Sequence, residues 1–267
     1  MEPLPLRPPR PPSSGPFTFY GDHRSPEKIV DRSSTFAKVP IMGRVSDAKV
    51  RLLDAMMELI WTGSYGGTSV DHICEHAGVK KGSFYYFFES KSALALAALD
   101  HSWAEHREEL DAVFAPEVDP LERILTCFRD FRREQEELRA KHGRVLGCPV
   151  HSLGAEIATT DPGLRDRLQE ILDEFVSYYE AAIRDGQAAG SVVPGDPQML
   201  ARMVFAYSEG LLLHARMKND LAPLDDFEAG ALYLLAGRTL TPKPRSKSRS
   251  ATKRATKPAP AFSTKDA

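Results

Sequence analysis

The chain has 267 residues, 42% of them hydrophobic, and a formal net charge of −2, which is enough length for one large or two modest domains with a buried core. No apolar run approaches the roughly 18 residues that span a bilayer, and the Pro- and Arg-rich start has no apolar signal core, so neither a membrane span nor secretion is expected. Three widely spaced cysteines, Cys74, Cys127 and Cys148, argue against a disulfide framework and for a reducing cytoplasm.

Residues 1–43 are Pro-rich and then polar, without helical or strand periodicity. Such a segment buries too little apolar surface to offset its ordering entropy and is expected to be disordered. Met42 stands immediately before the first periodic stretch, so a start at Met42 is open beside a start at Met1. From Asp47 onward the period is near 3.6. Ala48, Leu52, Met56, Leu59 and Ile60 share one helical face, which ends at Gly63 and Gly66-Gly67.

The next segment carries the chemistry. Thr68 is expected to cap a helix beginning at Ser69, with Asp71 closing a capping box. Val70, Ile73 and Ala77 face inward, and Gly78 supplies a left-handed turn with Val79 beneath it. Lys80-Lys81-Gly82-Ser83 then opens a second helix, bringing two cations and a small hydroxyl to an N-terminus where backbone N–H groups attract phosphate. Phe84 and Phe88, four apart, are expected in the core, leaving Tyr85 and Tyr86 free for phosphates and base edges. Lys91, opening the next helix, is expected to be a further phosphate clamp. A capped helix, a Gly turn and a basic, aromatic second helix are what seats a helix in the DNA major groove.

A long helix follows over Leu94–Phe114. Three Asp-Pro pairs, Asp119-Pro120, Asp161-Pro162 and Asp196-Pro197, then each open an amphipathic run, since Asp caps well and Pro at the first position has no amide hydrogen to lose. The runs carry Leu121, Ile124, Leu125, Phe128 and Phe131; then Leu164, Leu168, Ile171, Leu172, Phe175 and Tyr179; then Leu200, Met203, Val204, Tyr207 and Leu211. A last helix carries Phe227, Ala231, Leu234 and Leu235. No useful alternating strand appears, so the fold class is all-α. The tail 241–267 holds eight basic residues against Asp266 alone, a net of +7, which leaves about −9 for everything before it. DNA contact in an acidic body therefore has to come from local patches. The tail itself reads either as a solubility segment or as a nonspecific DNA arm.

On these motifs the chain resembles the TetR family of bacterial transcriptional regulators, most strongly over residues 46–105. The resemblance implies an N-terminal three-helix helix-turn-helix domain at 46–105 and a helical ligand-binding and dimerisation domain at 106–240. It implies a homodimer on a palindromic double-stranded DNA operator, with release by a small-molecule effector. Positions matching Thr68, Lys81, Ser83, Tyr85, Tyr86 and Lys91 contact DNA in that family. With the residue reading, the expected set is Thr68, Ser69, Lys80, Lys81, Gly82, Ser83, Tyr85, Tyr86 and Lys91. One departure is Ser64 before Tyr65, where the family usually has Gly.

For the effector, Gly147-Cys148-Pro149-Val150-His151 places Cys148 at a helix N-cap, where the dipole and nearby Arg144 are expected to favour the thiolate. Within the family such a Gly-Cys pair resembles a branch answering to electrophiles or small unsaturated acids. Cys148 reads equally as a small helix-start residue. Phe128, Phe131, Tyr178 and Tyr179 either line a cavity or form plain core, and His151 is a candidate polar group beside it. Met199, Met203, Tyr207, Leu211 and the last helix are candidates for an intersubunit four-helix bundle. His72-Ile73-Cys74-Glu75-His76 puts its glutamate in the wrong place for a metalloprotease helix, and no nucleophile elbow or phosphate loop occurs elsewhere. No enzymatic activity, cofactor or metal is expected. The rival reading is an architectural DNA-binding protein using the same fold and its basic tail.

Overall fold

The structure is a computed structural model and describes residues 42–237; the segments 1–41 and 238–267, which include the basic tail, lie outside the described residues. Among the described residues every regular element is helical. They run α1 (Met42–Thr62), α2 (Val70–Ala77), α3 (Lys81–Phe87), α4 (Lys91–Val113), α5 (Pro120–His142), α6 (Pro149–Ile157), α7 (Pro162–Ala188), α8 (Pro197–Lys218), a 3₁₀ turn (Ala222–Asp226) and α9 (Phe227–Ala236). The first helix begins at Met42, so the last two residues assigned to a disordered extension are helical; no proline follows Pro40 to prevent it.

All three Asp-Pro pairs act as expected. Asp119 accepts from the amides of Leu121 and Glu122, Asp161 from Leu164, and Asp196 from Gln198, each ahead of a proline at the first helical position. Asp161 also accepts from the Ser92 hydroxyl at 2.6 Å, which ties the start of α7 to the start of α4. Two layers result. Helices α1–α3 fold around Leu52, Met56, Ile73 and Phe84, and α4 carries that small core into the larger one built by α5, α7, α8 and α9 around Phe128, Phe175 and Tyr179.

The third amphipathic run is rotated from its expected face. The buried stripe of α8 is Leu200, Ala201, Val204, Ser208, Leu212 and Ala215, whereas Met203 is exposed and Tyr207 and Leu211 are half-buried. Small residues on that stripe let α7 and α8 approach closely, which outweighs burying the longer methionine. Tyr207 reaches sideways instead, donating to the Asp226 carbonyl at 2.6 Å. Its hydroxyl lies 2.0 Å from where a Cβ on residue 230 would stand, so any larger residue there would displace the Tyr207 ring.

Candidate nucleic-acid interface and effector cavity

The turn between α2 and α3 is built on Gly78, whose φ of 61° and ψ of 36° are left-handed. It lets the Val79 amide reach back to the Cys74 carbonyl at 2.9 Å, closing α2. The opposite end of α2 differs from expectation. Ser69, not Thr68, is the N-cap, accepting from the His72 amide at 3.1 Å. The Thr68 hydroxyl is already committed, donating to the Ser64 carbonyl at 2.7 Å. Asp71 consequently falls outside a capping box and pairs with Lys81 at 2.7 Å.

Helix α3 is divided between two environments. Phe84 is fully buried and Phe88 nearly so, as expected from their spacing. Tyr85 and Tyr86 stand out at 56% and 76% exposure, each set edge-on against its neighbouring phenylalanine. Lys80, Lys81 and Gly82 are also exposed, and nothing lies within 4 Å of a Cβ added at Gly82. The protein's own packing does not require that glycine. Lys80 caps α3 with no side-chain bond.

Two expected DNA contacts are used inside the protein. Thr68 is buried. The Lys91 ammonium donates to the carbonyls of Tyr65 and Thr68 at 2.9 and 3.0 Å and sits 4.1 Å above the Tyr65 ring. Two of its three hydrogens go to the α1–α2 loop, so Lys91 braces the motif through the part of its ammonium that these bonds use. Ser69 is exposed but caps, and Ser83 is half-buried. The same loop is held from behind by α6: the Glu156 carboxylate accepts from the amides of Tyr65, at 2.9 Å, and Gly66.

The start of α6 borders a narrow, mainly apolar cavity among α4, α5, α7 and α8. Counting its open mouth it holds about 420 Å3 of free space, and its lining includes Trp103, Phe131, Phe175, Phe205, Gly147 and Cys148. Glu134, Gln135 and Glu209 supply its polar groups. Gln135 clamps the loop before α6, its carbonyl oxygen accepting from the amides of Leu146 and Gly147 and its nitrogen donating back to the Gly147 carbonyl. That carbonyl also accepts from the Trp61 indole of α1, at 2.7 Å.

Cys148 is the N-cap of α6, as expected. Its thiol is not activated. Burial, and then the Glu209 carboxylate, push it well above its ordinary value, outweighing the amides of Val150 and His151. Arg144 is turned away, donating to the Thr62 carbonyl. His151 pairs with Glu209 at 3.0 Å across the cavity rim. Burial disfavours its charge, but the Glu209 hydrogen bond and charge prevail and raise it.

Of the aromatic candidates, Phe131 lines the cavity. Phe128 is plain core, packed between Tyr179 and Phe227. Tyr178 lies outside the cavity, its hydroxyl donating to Asp111 at 2.5 Å, because at this point α7 turns Phe175 and Tyr179 inward. Sequence reasoning missed Trp61, Gln135, Glu156 and Glu209. Glu134 and Gln135 did leave a signal, as polar residues on the buried face of α5; the others lie on elements whose neighbours no local pattern reveals.

Residues 52–98 match the family model "Bacterial regulatory proteins, tetR family", and residues 120–231 match "Tetracyclin repressor-like, C-terminal domain". Among curated relatives, the transcriptional regulator AcuR of Cereibacter sphaeroides is 32% identical over 207 residues, covering 74% of this chain and 93% of the relative. The HTH-type transcriptional repressor NemR of Escherichia coli K12 is 23% identical over 192 residues, covering 71% of this chain and 94% of the relative. Among solved structures, regulatory protein TetR from Rhodobacter sphaeroides superposes with a TM-score of 0.63 at 30% identity, covering 70% of this chain and 98% of that one. Reduced NemR of E. coli gives a TM-score of 0.63 at 22% identity, covering 71% and 97%.

Proposed function

The chain belongs to the TetR family of bacterial transcriptional regulators, and from that premise we propose that it is a repressor which binds a palindromic operator as a homodimer and leaves it when a small ligand enters the cavity beside Gly147. It is a DNA-binding regulator and not an enzyme. The observation that carries the operator reading is the division of α3: Phe84 anchors it, while Lys80, Lys81, Tyr85 and Tyr86 project away from the body. Phosphate contacts from the lysines position such a helix, and the tyrosines reach sugar, phosphate or base edges. The domain division at residues 46–105 and 106–240 and a cytoplasmic location belong to the same proposal.

Dimerisation is supported by the outer face of α8 and α9. Met199, Met203, Leu213 and Met217 lie on one face of α8 as an exposed apolar stripe, and Tyr233 is exposed on α9. Two copies pairing these helices would bury it as a four-helix bundle. Release by a ligand is supported by the narrowness of the cavity. A ligand of ordinary size parts its walls, and one wall is the Gly147 loop bonded to Trp61 and so to α1. The polar groups at Glu134, Gln135 and Glu209 favour a ligand with an apolar body and a hydrogen-bonding end.

Covalent sensing of an electrophile at Cys148 is a narrower form of this reading. Because burial and then Glu209 hold the thiol protonated, its proton must first leave to solvent. The thiolate then adds to the electron-poor carbon of an unsaturated acceptor, whose neighbouring carbon takes up a proton. Release of DNA by such a reagent in wild type but not in Cys148→Ser supports it, and equal release from both removes it.

The operator reading is tested by selecting bound duplexes from a random pool and measuring affinity at two salt concentrations. An inverted repeat bound at least about 10³-fold more tightly than random DNA is expected. Little preference with a steep salt dependence would instead identify an architectural protein.

A further inference from the structure

The donor atoms of Cys148, His151 and Glu209 converge beside the cavity. The thiol sulfur, an imidazole nitrogen and a carboxylate oxygen all lie within 4.8 Å of one another. Cys148 and His151 are one helical turn apart at the start of α6, which puts both side chains on one face. Glu209 meets them from α8, already 3.0 Å from the His151 Nδ1. We propose that these three residues form a binding site for a zinc-class divalent cation at the rim of the cavity.

The donor set decides the class of ion. Thiolate and imidazole favour zinc and its neighbours over magnesium or calcium, which require oxygen donors. Geometry agrees. Bonds of about 2.0–2.3 Å to a tetrahedral ion place neighbouring donor atoms about 3.3–3.8 Å apart. The His151–Glu209 contact therefore opens by a few tenths of an ångström, and the sulfur, within 4.8 Å of both partners, closes by no more than about 1 Å to reach that spacing. Charge also balances: one thiolate, one neutral imidazole and one carboxylate neutralise a dication at a half-buried place, the thiol proton and any imidazolium proton of His151 leaving to solvent as the metal bonds form. Three protein ligands leave the fourth tetrahedral position to water or another donor. Cys148 and Glu209 also line the cavity, so an ion here would change its polar wall.

Metal binding goes beyond the regulator reading and does not depend on it, because it is read without DNA. The full chain, stripped of metal, is titrated with Co2+ and with Zn2+. One equivalent per protomer is expected, with a thiolate-to-cobalt charge-transfer band and the visible bands of tetrahedral cobalt, displaced by Zn2+ and untouched by Mg2+. Cys148→Ser loses the charge-transfer band. His151→Ala and Glu209→Gln each weaken binding by more than about tenfold, since even outer-sphere changes cost that much. Cys74→Ser and Cys127→Ser keep the band, and circular dichroism checks that every variant is folded. Bound Zn2+ should also slow alkylation of Cys148, followed by mass spectrometry. Absence of the band in wild type, or its persistence in Cys148→Ser, would overturn the site. Operator binding by the metal-free chain is measured separately, so a failed metal site leaves the regulator reading standing, and the reverse.

Discussion

The indole nitrogen of Trp61 donates a 2.7 Å hydrogen bond to the carbonyl oxygen of Gly147, joining residues 86 positions apart. Trp61 ends the first helix of the DNA-binding unit, and Gly147 lines the cavity immediately before Cys148. On the proposed reading, a ligand that parts the cavity walls would pull on α1 through this bond.

Trp61→Phe keeps an aromatic ring but loses the donor and some volume. The Gly147 carbonyl still accepts from Gln135 at 3.3 Å, so no acceptor is orphaned. The expected cost is about 1–3 kcal/mol, seen as a lower Tm. Operator affinity of the ligand-free protein should change less than its response to ligand. An unchanged response would mean that coupling runs through other contacts.

Tyr86→Ala tests the outward face of α3. The side chain is 76% exposed, so stability should move by no more than about 0.5 kcal/mol. Operator affinity should fall by about tenfold or more, the size of a lost DNA contact. Anisotropy titrations with a labelled duplex, beside thermal melts, separate the two. A variant that binds normally would move the reading surface away from α3.

Glu156→Ala removes the acceptor for the amides of Tyr65 and Gly66. Both hydrogen bonds are exposed to solvent, so the loss of stability is small, about 0.5–1.5 kcal/mol. The local effect is larger: those amides should exchange their hydrogens at least about tenfold faster, since 1.4 kcal/mol is tenfold in an opening equilibrium. Weaker operator binding should accompany it, because the loop feeds α2. Unaltered exchange would show that the carboxylate does not hold the loop in solution.

His106 predicts a pH dependence. It is fully buried, stacked on Phe175 and tilted against Trp103. Burial lowers its pKa, and Glu109 only partly opposes this. The folded state thus keeps the ring neutral, while the unfolded chain takes up a proton below about pH 6.5. Stability from this group is present above that pH and is lost as the pH falls from there toward the lowered folded value, at up to about 1.4 kcal/mol per pH unit. His106→Phe cannot take the proton. Thermal melts from about pH 7.5 to about pH 5 should show wild type losing ground to the variant, and parallel curves would contradict a buried neutral ring.

The local patterns alone determined a good deal. The three Asp-Pro caps, the left-handed Gly78 turn and the inward Phe84 and Phe88 all follow from short-range stereochemistry and helical period, which act within a few residues. Those features locate the DNA-binding element and make the protein all-α. Thr68 and Ser69 mark where that reading stops. Either hydroxyl suits an N-cap, and the choice fell to Ser69 because Ser64 claims Thr68.

Only the tertiary structure decided what surrounds each candidate. Lys91 looked free for phosphate until the Tyr65 and Thr68 carbonyls claimed its ammonium. Cys148 is the helix N-cap its sequence promised, yet burial first, and then Glu209, 61 positions away on α8, push its thiol well above the ordinary value. Period and capping specify helices, but a group's charge state and partners depend on long-range neighbours, and those exist only once the helices have packed.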